Sequence, residues 1–285
     1  MVTNRSCLVT GSRGFVGRHL VVALSRAGYA VGEADIENGC DLTDWNSFKK
    51  LNAANWIIHL AARTFVPESF SDPRRFYDDN IRSTLNALEM ARRWNARFIL
   101  ASSYVYGMPH YLPIDEAHPL AGENPYSQSK ILCEQLADGY ARHFGVPVIC
   151  LRIFNIYGPG QSDRFLIPSM VKQAKQGHIS LGDPEPRRDY VYVDDVVAAY
   201  MCALDYESRG CEVFNIGSGT SHSVREIVET YVKASGRPVD LRFSGKKRKG
   251  EISDTRSDCR KANRMLGWSA KIDLFEGLQR LVESN

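Results

Sequence analysis

The chain has 285 residues, of which 44% are hydrophobic and 24% are charged, and these values are ordinary for a globular protein with one large domain and a smaller lobe. A formal net charge of +3 is too small to indicate nucleic acid as a partner, and no apolar run is long enough to span a membrane. Seven cysteines without a Cys-x-x-Cys pair, and seven histidines without metal-ligand spacing, predict a cytoplasmic protein with reduced thiols and no metal site.

The first predicted element is a buried strand over residues 7–10, and a glycine-rich stretch follows it directly. Gly11, Gly14 and Gly17 lie where this strand turns into a helix that ends at Gly28. Glycines in this place permit a tight turn and let backbone N–H groups approach a pyrophosphate at the helix N-terminus. The strand, loop and helix together therefore predict a dinucleotide-binding unit.

The second predicted strand covers residues 29–35 and ends in Asp35, which lies 18 positions after Gly17. A carboxylate about 20 residues beyond the glycines binds the adenosine ribose in this kind of unit, which favours NAD over NADP. Two alternatives stay open at this point. Asp35 also fits a turn or helix cap, and the guanidinium of Arg13 would suit the extra phosphate of NADP.

Three further strands are predicted over residues 56–60, 97–103 and 147–152, and helical patterns over 72–95 and 126–141 separate them. Such alternation predicts a parallel, doubly wound sheet, because a helix crosses over between successive strands.

After residue 155 the pattern changes, and helical pieces mix with short strands. We therefore expect an α/β fold with a dinucleotide-binding domain over residues 1–155. A smaller α/β substrate lobe would follow over residues 156–285, with some of its chain crossing back to the sheet.

Tyr126 and Lys130 lie four residues apart in the predicted helix 126–141, so they share one face. A phenol with a pKa near ~10 is a poor base at neutral pH, but a nearby ammonium favours the phenolate and lowers that pKa. The pair therefore predicts an acid/base group, although it also fits two solvated side chains. Ser102 and Ser103 end the strand 97–103, where the carboxyl ends of strands line the ligand crevice.

Short motifs run in a fixed order along nearly the whole chain. They are Gly11-x-x-Gly14-Phe15-x-Gly17, Asp35, Asp41-Leu42, His59-Leu60-Ala61-Ala62, Asn80, Ser102-x-x-Val105-Tyr106-Gly107, Tyr126-x-x-x-Lys130, Leu151-Arg152-x-Phe154-Asn155-x-Tyr157-Gly158-Pro159-Gly160, Arg188-Asp189-Tyr190-Val191-x-Val193-x-Asp195, Arg248-x-Gly250-Glu251 and Leu266-Gly267-Trp268. With these motifs the sequence resembles the extended short-chain dehydrogenase/reductase family, in its nucleotide-sugar epimerase/dehydratase branch. The resemblance implies a Rossmann-type doubly wound parallel sheet.

The resemblance also implies a catalytic set of three residues. Tyr126 would be the acid/base at a sugar oxygen, Ser102 would hydrogen-bond with the same oxygen, and Lys130 would hold the nicotinamide ribose while it tunes Tyr126. Counting back from the Val105-Tyr106-Gly107 motif places the catalytic hydroxyl at Ser102 rather than at Ser103.

The remaining implied site residues form two groups. The residues expected to bind the dinucleotide are Gly11, Arg13, Gly14, Phe15, Val16, Gly17, Asp35, Asp41, Leu42, Leu60, Ala61, Ala62, Asn80, Tyr126, Lys130 and Ile153. The residues expected to face the nucleotide-diphosphate sugar are Thr64, Ser103, Asn155, Leu166, Arg188 and Arg248. Three of them have open alternatives. Asn80 also fits an amide that holds backbone groups, Arg188 a salt bridge with a neighbouring aspartate, and Arg248 a solvated basic loop.

The resemblance narrows the reaction to hydride transfer at C4 of a sugar. Sugar dehydratases carry acidic residues directly after the catalytic hydroxyl, whereas this chain has Ser103 and Tyr104 there. We expect a nucleotide-sugar 4-epimerase with retained NAD, because Asp35 suits that cofactor. The alternatives are a 4-keto-6-deoxyhexose reductase, favoured by Arg13 and the short segment before Asp41, and a dinucleotide-binding sensor without turnover. Family members commonly form homodimers through a four-helix bundle, which the helices 72–95 and 126–141 would supply here.

Overall fold

The structure is a computed structural model that describes residues 5–247 and 250–284. In chain order the strands are β1 (Ser6–Thr10), β2 (Ala30–Ala34), β3 (Trp56–His59), β4 (Arg97–Ser103), β5 (Val148–Ile153), β6 (Asn155–Tyr157), β7 (His178–Leu181), β8 (Arg187–Tyr192), β9 (Cys211–Ile216), β10 (Ser221–Ser223) and β11 (Asp240–Phe243). The helices are α1 (Phe15–Arg26), α2 (Trp45–Phe48), α3 (Val66–Ser71), α4 (Pro73–Trp94), α5 (Pro125–Phe144), α6 (Leu166–Ala174), α7 (Val193–Asp205), α8 (Val224–Ser235), α9 (Arg260–Leu266) and α10 (Leu274–Glu283), and a 3₁₀ turn covers Ile36–Asn38.

Six parallel strands form the central sheet, in the order β2-β1-β3-β4-β5-β9. The chain runs outward from β1 to β2 and then returns to place β3 on the other side of β1. Because the strand order reverses there, a crevice opens at the carboxyl ends of β1 and β3, where doubly wound sheets bind their ligands. The predicted Rossmann-type α/β fold is confirmed.

Helices cover both faces of this sheet because successive strand residues point to opposite sides. Val9 packs with Leu20 of α1 and Val196 of α7 on one face. Leu8 packs on the other face with Leu88 of α4 and with α5 beside it. The resulting three layers bury the sheet and leave its carboxyl edge for the site.

The smaller lobe has its own sheets and core. A sheet in the order β10-β8-β6 and the pair β11-β7 lie with α6, α8 and α10, and their shared core includes Met170, Ile179, Ile227 and Leu278. Two elements beyond residue 155 belong instead to the large sheet. Strand β9 pairs with β5 along its whole length, and α7 packs against α1.

Helix α5 begins where local chemistry dictates. Asn124 caps it, since its Oδ1 accepts the N–H of Ser127 at 2.8 Å and its own N–H donates to Ser127 Oγ at 3.2 Å. Pro125 suits the first helical position, and Gly145, with a φ of 68°, ends the helix. As the crossover from β4 to β5, α5 therefore presents its first turn, with Tyr126, at the carboxyl edge of the sheet.

Candidate active site

The glycine-rich loop packs so closely against neighbouring backbone that side chains would not fit. A Cβ atom at Gly17 would lie 2.2 Å from the carbonyl oxygen of Gly11, and one at Gly11, whose φ is 69°, would lie 2.7 Å from the backbone nitrogen of Ala61. Within the described residues no side chain caps α1, which leaves its first N–H groups available for an anion. The loop therefore fits the pyrophosphate of a dinucleotide.

Asp35 lies beside this loop. Its Oδ2 accepts the backbone N–H of Arg13 at 2.9 Å, and its Oδ1 accepts the N–H of Glu37 at 3.0 Å, so it caps the 3₁₀ turn and is also tied to the loop. The guanidinium of Arg13 lies 3.5 Å from the carboxylate of Glu33. The carboxylate of Asp35 thus binds the backbone of Arg13 and that of Glu33 pairs with its side chain, while the contact of Asp35 with the adenosine ribose stays a prediction.

The other residues predicted to bind the dinucleotide differ in exposure. Those that retain accessible surface are Gly14, Phe15, Val16, Asp41, Leu60, Ala61 and Ala62. Those that are buried are Leu42, Asn80 and Ile153. Leu42 and Ile153 form part of the hydrophobic core, and Asp41 accepts the N–H of Thr43 at 2.9 Å. Their contacts with a dinucleotide stay a prediction.

Asn80 ties the loop after β3 to α5. Its Oδ1 accepts the N–H of Arg63 at 2.8 Å, and its Nδ2 donates to Ser129 Oγ at 2.9 Å and to the Arg63 carbonyl at 3.2 Å. Since Ser129 lies next to Lys130, this buried amide fixes the loop relative to the predicted catalytic helix. That is the structural role that the sequence left open for it.

Tyr126 and Lys130 lie on α5 as predicted, but their electrostatics differ from the expectation. Burial raises the pKa of Tyr126, while a hydrogen bond with the side chain of Ser103 acts in the opposite direction. Burial likewise lowers the pKa of Lys130, which is 2% exposed. The expectation that Lys130 lowers this pKa is not met here, because burial is the largest influence on the phenol and raises its pKa.

Ser102 and Ser103 end β4 and point to opposite sides of the sheet. The hydroxyl of Ser102, which is 5% exposed, donates to Oε1 of Glu134, so it points to the side that α5 covers. The side chain of Ser103 acts to lower the pKa of Tyr126 through a hydrogen bond. The role of Ser102 at a sugar oxygen stays a prediction.

The residues predicted to face the substrate come from separate elements, and their contact with a substrate stays a prediction. Thr64 is exposed in the loop after β3, and Leu166 begins α6. Asn155 donates to the carbonyl oxygen of Asp189 at 3.2 Å. Arg188 is held by Glu251, and it also donates to the Ile252 carbonyl at 2.7 Å.

Glu251 is thus the salt-bridge partner of Arg188 among the described residues, in place of the neighbouring aspartates that the sequence suggested. Arg248, the other predicted phosphate ligand, lies outside the described residues.

An aromatic and charged contact joins the loop after β3 to the segment before α6. The rings of Phe65 and Phe165 have centroids 5.9 Å apart, and the guanidinium of Arg164 lies 3.7 Å from the centre of the Phe65 ring. Arg164 also donates to Glu68 at 2.9 Å. The contact connects the two lobes, and the sequence did not predict it.

Two kinds of feature are absent from the described part of the chain. Within residues 5–247 and 250–284, no three His, Cys, Asp or Glu side chains come together in a way that could bind a metal ion. In the same ranges, none of the helices combines the length and apolarity that crossing a lipid bilayer requires.

Residues 7–217 match the model of the NAD dependent epimerase/dehydratase family. The chain belongs to this family. The prediction of an enzyme of the extended short-chain dehydrogenase/reductase type is confirmed by this match, and the comparisons below agree with it.

This chain is similar both to epimerases and to a reductase. It is 34% identical to a putative UDP-glucose 4-epimerase of Methanocaldococcus jannaschii, over 96% of each chain. It is 32% identical to the GDP-6-deoxy-D-mannose reductase of Pseudomonas aeruginosa, over 96% of this chain and 95% of that one. It also resembles the structure of UDP-glucose 4-epimerase from Bifidobacterium longum in complex with NAD+ and UDP, with a TM-score of 0.89, 28% identity, and coverage of 98% and 97% of the two chains.

The motifs did not reveal Glu134, whose carboxylate binds the hydroxyl of Ser102 and the guanidinium of Arg152. It follows Lys130 by four residues and Tyr126 by eight, so helical spacing places all three on one face of α5. That spacing was the available signal, but nothing in the sequence showed that this face is buried.

Proposed function

We propose that this family member is a nucleotide-sugar 4-epimerase that keeps NAD bound through the reaction. The observation that carries the proposal is that Tyr126 and Lys130, in the first turns of α5, and the hydroxyls that end β4 all lie at the carboxyl edge of the sheet that also carries the dinucleotide loop. A phenol and a hydroxyl placed together suit a sugar oxygen that gains and loses a proton.

The residues divide the work as follows. Tyr126 takes the proton of the C4 hydroxyl while C4 becomes a ketone. It returns the proton after the keto sugar has rotated in the site to present its other face. Ser103 hydrogen-bonds with the same oxygen, Lys130 holds the nicotinamide ribose, and Asp35 holds the adenosine ribose. NAD, when bound, supplies a reversible hydride acceptor and a positive charge that favours the phenolate. Because burial raises the pKa of Tyr126, the free protein keeps the phenol protonated at neutral pH.

The substrate is a nucleotide-diphosphate sugar. Arg188 and Arg248 are the proposed ligands of its diphosphate, since guanidinium groups bind phosphate oxygens with two parallel hydrogen bonds. In the structure the guanidinium of Arg188 pairs with the carboxylate of Glu251, so a bound diphosphate would have to share this guanidinium with Glu251.

The test is interconversion of C4 epimers. Purified protein is incubated with UDP-glucose, UDP-N-acetylglucosamine and their C4 epimers, and the products are separated by chromatography. We expect at least one pair to interconvert without net consumption of dinucleotide, and NAD to remain with the protein through dialysis. If no pair interconverts, the epimerase proposal is wrong.

A reductase is the second candidate, and the 32% identity to a GDP-6-deoxy-D-mannose reductase favours it. Such an enzyme performs only the second half of the reaction, with a reduced dinucleotide as cosubstrate. A 4-keto-6-deoxy nucleotide sugar with NADH or NADPH would then consume the dinucleotide, which is followed at 340 nm. If the wild type and Tyr126→Phe are equally inactive on every sugar while the dinucleotide still binds to both, a binding protein without turnover is indicated instead.

We also propose a homodimer formed through α4 and α5, which pack side by side. Tyr77, Ile81 and Leu85 repeat every four residues on α4 and retain accessible surface, and Leu85 is 40% exposed. Leu136 and Tyr140, four residues apart on α5, also retain accessible surface. Pairing these faces across a two-fold axis would bury them in a four-helix bundle. Light scattering at micromolar concentration tests this, and a monomer would refute it.

A further inference from the structure

Glu134 is a buried carboxylate with no part in the reaction scheme above. Its side chain is 8% exposed, and the guanidinium of Arg152 binds it in two places, with Nη2 at 2.7 Å and Nε at 3.0 Å. The Ser102 hydroxyl donates to the same carboxylate. Three elements, α5, β5 and β4, therefore meet at this one group.

The guanidinium that binds Glu134 is itself fixed. Nη1 of Arg152 donates to the hydroxyl of Tyr106 at 3.1 Å and to the carbonyl of Glu116 at 3.3 Å, and the Tyr106 hydroxyl donates to Asn215 at 2.5 Å. The Arg152 side chain is 6% exposed. A pair held at this many points cannot swing toward solvent, so Glu134 presents its charge in one place.

Lys130 lies one helical turn before Glu134 and must hold its positive charge inside the protein. Burial lowers its pKa, and the neighbouring Cys133, Glu134 and Cys150 act in the opposite direction. A hydrogen bond with Cys211, and then burial, raises the pKa of Cys150 well above its ordinary value, so that thiol stays neutral. Burial, together with the charge of Lys130, lowers the pKa of His59 to about 3, so the imidazole also stays neutral at ordinary pH.

Among these described neighbours of Lys130, Glu134 is the carboxylate. Arg152 carries a further positive charge on β5, where it is paired with Glu134.

We propose that Glu134 is a positioning residue, which Arg152 holds so that it orients the hydroxyl of Ser102 and keeps Lys130 charged beside Tyr126. The first-principles reason is that a buried ammonium needs an opposite charge close by to keep its proton. The proposal rests on the proposed function only for its effect on turnover, because the charge state of Lys130 can be measured without a substrate.

The test variant is Glu134→Gln, which keeps the shape of the side chain and removes its charge. The Nζ signal of Lys130 is followed in 15N-lysine-labelled protein and assigned by its loss in Lys130→Arg. We expect Lys130 to release its proton at a pH lower by about one unit. In turnover assays the alkaline limb of the kcat profile should move by the same amount, while KM stays unchanged because Glu134 does not touch the sugar.

Asp138→Asn is the matched control. Asp138 lies on the same helix and pairs with Arg142 at 2.7 Å, but both side chains are about half exposed, and its pH profile should superimpose on that of the wild type. Ser102→Ala keeps the carboxylate and should leave the alkaline limb in place. If Glu134→Gln does not fold, Glu134→Gln with Arg152→Met removes both charges of the pair and is measured instead.

The outcomes separate the inference from the function. If Lys130 titrates alike in the wild type and in the folded charge-removing variant, Glu134 has only a structural role and the inference is wrong. If its titration moves but the wild type turns over no nucleotide sugar, the inference stands and the proposed function fails.

Discussion

Replacing Asp35 with alanine should remove most of the preference for NAD. The two carboxylate oxygens accept the N–H groups of Arg13 and Glu37, so the substitution also loosens the dinucleotide loop. Loosening of the loop should weaken the binding of NAD and of NADP alike, so it cancels in the ratio of their dissociation constants. The ratio therefore reports on the contact between the carboxylate and the ribose.

The size of the change follows from the burial of Asp35, which is 8% exposed. A hydrogen bond to a charged acceptor contributes about 1.5–3 kcal/mol when water screens it little. Since ~1.4 kcal/mol corresponds to a factor of ten, the loss of this contact should weaken NAD by about 10- to 100-fold beyond the common effect. NADP makes no such contact, and the substitution removes the repulsion between the Asp35 carboxylate and the extra phosphate of NADP. The Kd of NADP should therefore rise much less.

Binding is measured by calorimetry on protein stripped of dinucleotide, with NAD and NADP titrated under the same salt conditions. Glu33→Gln is the comparison variant, because its carboxylate faces Arg13 across a partly exposed 3.5 Å pair. Freeing Arg13 should improve NADP only a few-fold, as a surface pair contributes less than about 1 kcal/mol. Equal weakening of both dinucleotides by Asp35→Ala would refute the assignment of Asp35 to the ribose.

Three further outcomes are expected. Ser103→Ala should lower kcat by about 100-fold or more with a small change in KM, and a larger loss in Ser102→Ala would reverse our assignment of the hydroxyl. Gly17→Ala should abolish dinucleotide binding in calorimetry, because the new methyl group would lie 2.2 Å from a backbone oxygen. At Gly139 a methyl group would meet no described atom of another element within 4 Å, so Gly139→Ala should stabilise α5 by about 0.5–1 kcal/mol in thermal melts. Arg164→Ala should raise KM for the nucleotide sugar several-fold by separating the lobes, and an unchanged KM would show that their contact does not support binding.

The fold could be predicted well because local chemistry decides it. Glycines fix the turn after β1, and Asn124 with Pro125 fixes the start of α5. The hydrogen bond between Ser102 and Glu134 could not be read from motif spacing, because it depends on which face of β4 meets α5.

Long-range partners escaped prediction for a similar reason. Arg188 is held by Glu251, 63 positions away, although two aspartates lie much closer in the chain. Burial is also the largest influence on the pKa of Tyr126, and the spacing of residues along one helix does not show how deeply a side chain is buried. What the sequence missed was therefore decided by the surroundings of each side chain rather than by its own segment.

The return of α7 and β9 to the large sheet makes the two lobes one folding unit. A fragment cut at residue 155 would lose the outermost strand and leave the backbone groups of β5 open to pairing with other chains. It would also uncover the apolar side of α1 that α7 shields. We expect such a fragment to aggregate, and we expect a molecule bound to either half of the intact chain to raise the melting temperature of both halves together.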